Sequence, residues 1–446
     1  MGQINLRKNI MVSGYFRIIV MFVSFLTGWI STRFLGVELK GQYSYLITIS
    51  SFAWLLLDFG IHKTYPYLIR KQAERKGMLF TWSILQFVSE YIFISVLGLA
   101  FIPFFSAVLK FDFTPSIVVL IAGAISLTKL SLHMQMYYLG MDKIRQNSLY
   151  QIANSLSMLV LVLIGWLLFR ASDRLIYVLV CYNLAMFVAV IGYTHTEILT
   201  RFWKGFKLKF ILISYGMGFR VFLSSVFITL LIRFDIVLIK RFLDFKELGI
   251  YAVAANIVEM LQMAANLVGG LLLVKLSDID DDIQRWQILK KVFIAFFAFL
   301  TVANLGFVLL GKPLLGLMYG VEFVPVYGVF LWLIPATFGL AFGSLFNTYL
   351  WSKGFPLVSV ILPLLALLLN IGLNLVFIPT FGIKGAALAT SIAYVLWFLL
   401  ILLYEQILSK GRMLPHLVPL LRDIGDVARM LRESLPYPLR NKRGDK

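Results

Sequence analysis

The chain has 446 residues, of which 60% are hydrophobic and only 14% are charged. A soluble domain has roughly 25% charged residues, so this composition excludes a water-soluble globular protein and indicates a membrane protein. The formal net charge is +19 at pH 7, but the lysines and arginines concentrate between apolar stretches. Since the sequence also lacks RNA- and DNA-binding signatures, we expect no nucleic-acid partner.

Apolar stretches of about 20 residues follow one another along the chain, and each can cross the hydrocarbon core as a helix. We predict an all-α polytopic membrane protein with about twelve spans, numbered here in chain order. The first stretch is too long for a signal-peptide core and has no small-residue cleavage site behind it, so we interpret it as span 1. The predicted spans cover residues 10–32, 41–61, 80–102, 114–139, 148–169, 175–193, 211–239, 248–274, 292–310, 326–350, 356–378 and 385–404.

The orientation follows from the distribution of lysine and arginine. These residues lie mostly on one side of the predicted topology, the side that also carries both termini. By the positive-inside rule that side is cytoplasmic. The segment 405–446, which comes after span 12, is basic. Within it, residues 416–435 place leucines along one side of a helix and charged residues on the opposite side. This pattern predicts an amphipathic helix on the cytoplasmic leaflet, with docking to a partner protein as the alternative.

An internal repeat is visible in the sequence. The segment from Arg33 to Tyr43 and the segment from Arg241 to Tyr251 share Arg, Phe, Leu, Gly and Tyr at a constant offset of 208 residues. A second, weaker match pairs Tyr138-Leu139 with Tyr349-Leu350. Six spans per repeat is an even number, so both halves enter the membrane in the same orientation.

The repeat predicts two equivalent six-helix lobes around a central cavity, which is the architecture of a transporter. We expect the first lobe at residues 1–193, a cytoplasmic linker at 194–210 and the second lobe at 211–404.

Catalytic and metal-binding motifs are missing from the sequence. It contains no glycine-rich phosphate loop with lysine, no metal-ligand cluster and no nucleophile elbow. We therefore predict no enzyme, no catalytic residue, no metal site and no cofactor, although a proton or a sodium ion could couple to transport. Cys181 has no partner cysteine and is interpreted as a small buried hydrophobe. We expect His62, His195 and His416 to be ordinary surface residues.

Ionisable side chains inside the spans are costly, so they tend to face a cavity or a partner. Arg17, Lys129 and Arg220 should all lie in the cytoplasmic half of the membrane. Together they could form a positive site for a phosphate-like anion. The alternatives are that Arg17 extends to the membrane interface and that Lys129 forms a structural ion pair with Asp58.

Other intramembrane charges are weaker candidates. Arg233 and His133 could also contribute to the cationic cavity, although a hydrogen-bonded structural role for His133 is equally compatible with its position. Span 1 carries a polar stripe at helical spacing, which suggests that this face is turned inward. Its members are Ser13, Arg17, Ser24, Gly28 and Ser31. The candidates for ion coupling or ion pairing are Asp58, Asp235, Glu259 and Glu90.

Short motifs at the ends of several spans point to a family. The most specific is the run from Ile378 to Thr390, in which Pro379 and Gly382 make a turn and small residues let span 12 pack closely on its neighbours. The other motifs are Arg33 to Gly36 with Gly41 to Tyr43, Asp58 to Ile61, Leu248 to Tyr251 with Ala254-Ala255, Tyr319 to Phe323, and Asn370 with Asn374. With these motifs the chain resembles, over nearly all its length, the polysaccharide flippases of the multidrug/oligosaccharidyl-lipid/polysaccharide (MOP) exporter superfamily.

The resemblance implies two MATE-like lobes around a cavity that opens alternately to either side of a bacterial plasma (inner) membrane. The implied cargo is an undecaprenyl-pyrophosphate-linked oligosaccharide, such as an O-antigen repeat unit, moved from the inner to the outer leaflet. Cationic cavity residues would hold the pyrophosphate and sugars while the lipid tail stays in the bilayer. A polysaccharide polymerase and a chain-length regulator are further implied partners. Because cavity residues vary greatly in this family, the resemblance assigns none of them individually.

Two other functions remain open at the level of sequence. Cation-coupled drug exporters of the same superfamily share the fold but usually favour acidic cavity sites for cationic drugs. A membrane-embedded glycosyltransferase or polymerase would usually need a sizeable loop for its substrates, and the predicted outward loops are short.

Overall fold

The computed structural model describes residues 6–71, 76–168, 173–195, 197–198, 202, 208–354 and 356–410. All regular secondary structure in these residues is helical, which confirms the predicted all-α class. The predicted amphipathic helix at 416–435 and His416 lie outside the described residues. The helices that form the spans are Leu6–Asp58, Lys76–Ala100, Pro115–Gly140, Ile144–Leu168, Arg174–Thr194, Leu208–Phe242, Phe245–Ser277, Asp282–Met318, Val326–Ser352 and Val358–Leu408.

In the described part of the chain, 10 helices are long and apolar enough to cross a membrane. Two of them are each divided by a single non-helical glycine, Gly36 (φ 75°) in Leu6–Asp58 and Gly382 (φ 59°) in Val358–Leu408. These ten helices therefore supply twelve membrane-length segments, as predicted. A positive φ is readily adopted only by glycine, which explains this residue at both turns.

The connections between spans 1 and 2 and between spans 11 and 12 are shorter than expected. We predicted loops at 33–40 and 379–384, but both segments are helical except at Gly36 and Gly382. A straight helix of 53 residues would be about 80 Å long at 1.5 Å per residue, far more than a bilayer core of about 30 Å. The chain turns at the glycine and continues immediately as the next span.

Each lobe is built around one buried span. In the most apolar 18-residue window of span 4, 78% of the residues are buried, and the corresponding value for span 10 is 67%. Spans 3 and 9 have only 11% of this window buried. Spans 4 and 10 occupy the same place in the two repeats, as do spans 3 and 9, so the burial pattern repeats with the sequence. This pattern supports the two-lobe architecture.

Two glycines related by the repeat pack against each other between the lobes. Gly41 of span 2 and Gly249 of span 8 are 208 residues apart, as are Val37 and Phe245. A Cβ atom on Gly41 would lie 2.0 Å from the carbonyl oxygen of Phe245, and one on Gly249 would lie 1.9 Å from that of Val37. The contact is reciprocal, as expected when a twofold axis passes between equivalent surfaces. It lies near the turn at Gly36, at the face predicted to be outward.

Repeat-related ion pairs close the opposite end of each lobe. Lys143, after span 4, lies 2.8 Å from Glu197, after span 6. Lys353, after span 10, lies 3.0 Å from Glu405, at the end of span 12. The two glutamates are again 208 residues apart. Each pair ties two span ends together on the face predicted to be cytoplasmic.

The weaker sequence match at the ends of spans 4 and 10 belongs to these same ion pairs. The ammonium group of Lys143 lies 5.2 Å from the ring centre of Tyr138, and that of Lys353 lies 4.5 Å from the ring centre of Tyr349. Tyr138 and Tyr349 are the residues that the sequence match pairs. Tyr349 thus matches Tyr138 in its contact with the lysine, whereas Tyr137 matches it in donating a 3.5 Å hydrogen bond to the glutamate.

The glycine contact yields a test of the lobe interface. We expect Gly249→Ala to lower the stability of the protein by about 1–3 kcal/mol, because a methyl group would overlap the backbone of span 2. Thermal unfolding of the purified protein in detergent measures the change. The control is Gly372→Ala in span 11, where no atom lies within 4 Å of the added Cβ. Equal melting temperatures for the two variants would contradict the close contact.

Candidate functional site

A cavity of about 390 Å³ lies between the two lobes and is called the central cavity here. Span 1 of the first lobe and spans 7 and 8 of the second supply most of its wall. Ser24 and Gly28, which belong to the predicted polar stripe of span 1, line it. Asn256, Gln262 and Asn266 of span 8 face them. The wall therefore offers neutral hydrogen-bonding groups from both repeats.

The central cavity contains one ion pair. Arg233 of span 7 lies 2.5 Å from Glu259 of span 8, and their side chains are 29% and 27% exposed. Both side chains are thus partly accessible from the cavity. The structure brings together two residues that the sequence marked separately as candidates.

A second cavity, of about 240 Å³, adjoins the first and is called the side cavity here. Ser24 and Gly28 line both cavities. The rest of the side cavity wall comes from spans 1, 2, 5 and 6, all in the first lobe. Its polar members are Thr27, Ser31, Lys40, Tyr43, Asn154, Ser155 and Tyr182.

Lys40 is the cation of the side cavity and is not among the cavity residues predicted from the sequence. The sequence predicts a loop at this residue, whereas the helix of span 2 includes it and only 4% of it is exposed. Among the described residues it has no ion-pair partner, and its ammonium group lies 5.4 Å from the ring centre of Tyr43. The sequence signal for this residue is its position directly before Gly41, a glycine that both repeats share.

Lys129 does not lie in either cavity. Its ammonium group is 2.5 Å from a carboxylate oxygen of Glu90 and donates a 3.0 Å hydrogen bond to the carbonyl oxygen of Leu57. Only 3% of its side chain is exposed. The alternative pairing of Lys129 with Asp58 is therefore wrong, since Glu90 takes that place. The predicted convergence of Lys129 with Arg17 is not seen.

Arg17 and Arg220 are positioned differently from Lys129. Arg17 is exposed and lies one helical turn before Met21, which lines the central cavity. A guanidinium nitrogen of Arg17 lies 3.7 Å from the Cβ position of Gly270 on span 8. Arg17 therefore stands at the margin of the cavity, between spans 1 and 8. The side chain of Arg220 lies outside the described part of the structure.

Asp58 at the end of span 2 is bonded to two histidines. One carboxylate oxygen is 2.5 Å from Nδ1 of His62, and the other is 2.7 Å from Nε2 of His133. Nδ1 of His133 is also 3.1 Å from the hydroxyl groups of Tyr65 and Ser83. His62 is therefore not the surface residue that we expected. The left-handed turn at Gly60 (φ 72°) directs the chain back toward Asp58 and buries the imidazole.

Asp235 of span 7 is buried in the second lobe. Its carboxylate accepts hydrogen bonds from the hydroxyl group of Tyr251, from that of Thr390 at 3.3 Å, and from the backbone N–H of Ile236 at 2.8 Å. Among the described residues, no basic side chain forms an ion pair with Asp235. Among the described residues, this carboxylate is therefore stabilised by neutral donors alone, whereas the carboxylate of Glu90 is paired with Lys129.

The pairing of Lys129 with Glu90 can be tested by a double-mutant cycle. We expect Lys129→Met alone to lower stability by about 3–5 kcal/mol, because it leaves a carboxylate uncompensated inside the protein. The double variant Lys129→Met/Glu90→Gln should recover most of that loss. Thermal unfolding measures both, with the exposed pair Arg70–Asp142 as the control, expected at about 0–1 kcal/mol. Additive losses would contradict the pair.

Comparison with known proteins identifies the family. The family model described as polysaccharide biosynthesis protein matches residues 6–274, which is more than half of the chain. No curated protein matches.

Solved structures share the fold. A structure of the lipid II flippase MurJ in an inward closed conformation superposes with a TM-score of 0.69 at 15% identity, covering 96% of this chain and 92% of that one. An inward-facing multidrug resistance MATE family transporter of the MOP superfamily gives a TM-score of 0.64 at 12% identity, covering 90% and 99%. A MOP superfamily transporter from Pyrococcus furiosus, whose binding pocket is described as having reverse polarity, gives 0.61 at 14% identity, covering 91% and 96%.

These structural similarities show that the chain has the fold of a multi-pass membrane protein. Together with the match to the family model, they lead to one conclusion. The chain belongs to the polysaccharide biosynthesis protein family and has the fold of the MOP transporter superfamily.

Proposed function

We propose that this protein is a flippase for an undecaprenyl-pyrophosphate-linked oligosaccharide, such as the repeat unit of O-antigen or of another surface polysaccharide. It moves this cargo from the cytoplasmic to the outer leaflet of the bacterial plasma membrane by alternating access. The observation that carries the proposal is a cavity between repeat-related lobes, lined by polar and apolar side chains, which together with the adjoining side cavity has more basic than acidic side chains among the described residues.

The charge of the cavity supports an anionic cargo. Among the described residues that line the central and side cavities, Glu259 is the acidic side chain, and Arg233 and Lys40 are the basic ones. Arg233 neutralises Glu259 at 2.5 Å, so one positive charge remains. A pyrophosphate suits such a surface, whereas a cationic drug would meet an acid that is already paired.

The wall of the central cavity also suits a cargo that is partly apolar. Met21 and Phe25 of span 1 and Met260 and Met263 of span 8 line it beside the amides and hydroxyls. Flexible thioether side chains adapt to cargo of variable shape. The sugars would contact the polar groups while the lipid tail leaves past these apolar side chains. Arg17, at the margin between the same two spans, is placed to attract the pyrophosphate.

Ion coupling, in this proposal, resides in the second lobe. Asp235 is a buried carboxylate that has only neutral donors as partners, so binding of a proton or a sodium ion would neutralise it. Asp58 with His133, and Lys129 with Glu90, serve instead to hold the first lobe together.

The proposal is tested by reconstitution into vesicles. Purified protein should accelerate the leaflet exchange of an undecaprenyl-pyrophosphate-linked oligosaccharide and leave its covalent structure unchanged. Protein-free vesicles give the background rate. Exchange at the background rate, with efflux of cationic drugs in the same vesicles, would replace the flippase by an exporter. A chemically altered oligosaccharide would indicate a transferase.

Arg233 gives a more specific test. The double variant Arg233→Gln/Glu259→Gln removes both charges without leaving one unpaired, and we expect leaflet exchange to slow at least about tenfold through loss of a charge-assisted bond to the cargo. Arg70→Gln/Asp142→Asn, which removes an exposed pair, should exchange cargo at the wild-type rate. Equal rates for both double variants would remove Arg233 from the cargo site.

Asp235→Asn tests the coupling site. With an imposed proton or sodium gradient, we expect the wild-type protein to concentrate cargo in one leaflet, and the variant only to equilibrate it, because the amide cannot change charge. Asp142→Asn, an exposed substitution, is the control. Gradient-driven accumulation by Asp235→Asn would show that another group couples the ion.

A further inference from the structure

The side cavity differs from the central cavity in composition and size. It lies within the first lobe, and the described residues that line it include no carboxylate. Its volume of about 240 Å³ is below the range of about 300–1,000 Å³ typical of sites for drug-sized ligands. It can therefore take one small chemical group and not a whole oligosaccharide. Ser24 and Gly28 line both cavities, so the side cavity adjoins the central cavity at span 1.

Lys40 gives this cavity its chemistry. A buried ammonium group is costly unless it is paired, and buried charges in proteins are normally paired. Glu259 is the acidic side chain whose charge acts on Lys40, but it already forms an ion pair with Arg233 at 2.5 Å. The ring of Tyr43, 5.4 Å from the Lys40 ammonium group, offers a partial cation–π compensation. An ionic partner for Lys40 is missing from the described residues.

The neighbours of Lys40 favour an anion as that partner. The amide of Asn154 has the sulfur of Met186, at 3.7 Å, as a weak acceptor, so its N–H groups are available to a better one. Ser155 lines the same wall one residue further along. Hydrogen-bond donors thus line the same cavity as the ammonium group, and the described lining includes no carboxylate. An oxyanion would satisfy the cation and the donors together.

We propose that the side cavity is a subsite for one anionic group of the cargo and that Lys40 binds this group directly. The inference rests on the proposed function, since it assumes a cargo that enters from the central cavity. The shared chemistry is an oxyanion, which can come from the pyrophosphate or from a carboxylate on a sugar of the oligosaccharide. The size of the cavity fits either group.

Lys40→Met is the variant that tests the proposal, since it keeps an unbranched side chain and removes the charge. Lys110→Met, at an exposed lysine between spans 3 and 4, is the charge-matched control. Because Lys40 has no ionic partner, its replacement should leave the melting temperature unchanged or raise it. A marked drop would mean that Lys40 serves the fold, and would overturn the proposal.

Binding is measured on the purified protein in detergent, with inorganic pyrophosphate and with glucuronate as separate probes. We expect at least one probe to bind the wild-type protein and Lys110→Met equally, and Lys40→Met at least about tenfold more weakly. Equal binding to all three proteins, or no binding of either probe to the wild type, would overturn the subsite. This measurement does not depend on transport, so a failure of the proposed function is detected separately in vesicles.

Transport distinguishes the two sources of the oxyanion. Vesicles receive a lipid-pyrophosphate-linked oligosaccharide that carries either a uronic acid or the carboxyl-reduced neutral sugar. If Lys40 binds the pyrophosphate, Lys40→Met slows the exchange of both cargoes. If it binds the sugar carboxylate, only the acidic cargo is slowed. Wild-type rates for both cargoes would refute the subsite.

Discussion

The structure depends on one constraint, that a charged side chain inside the hydrocarbon region requires a partner. This constraint separates the intramembrane ions into two groups. Lys129 with Glu90, and Asp58 with its two histidines, have partners within the first lobe and are enclosed by it. Lys40 has no ionic partner among the described residues, although it is just as buried. A charge without a partner costs stability, and such a cost is retained where function needs the charge.

The internal repeat determines where the cavity lies. Equivalent glycines, Gly41 and Gly249, bring the backbones of spans 2 and 8 into contact at one end, and an equivalent Lys–Glu pair joins span ends at the other end of each lobe. Each lobe is thus held together by its own contacts, while the interface between lobes includes small residues in close contact. The central cavity lies at this interface, where a change in the angle between the lobes would alter its access.

The chemistry of the cavities matches an amphipathic anion better than a cationic drug. Arg233 is paired with Glu259, and the remaining wall combines amides and hydroxyls with methionine, aromatic and aliphatic side chains. Asp235 is buried in the second lobe beside the central cavity, with which its surroundings share Ile232, Glu259 and Leu340, and its hydrogen-bond partners are neutral donors. In the proposed mechanism, binding of an ion at Asp235 and of cargo at Arg233 would be coupled through span 7, which carries both residues.

The all-α class, the twelve membrane segments, the repeat and the turn at Gly382 can be predicted from the amino-acid sequence, because hydropathy, periodicity and turn residues are local properties. The turn at Gly36 is not among these predictions, since the sequence predicts a loop over 33–40 instead. The sequence also marked Arg233, Glu259, Asp58 and Asp235 as ions inside the membrane. Their partners are apparent only in the folded protein, since paired residues such as Asp58 and His133 are 75 positions apart and hydropathy does not specify which helices pack against each other. For the same reason Lys40, predicted to lie in a loop, is identified as a cavity residue only by the structure, in which the helix of span 2 begins immediately after the turn at Gly36.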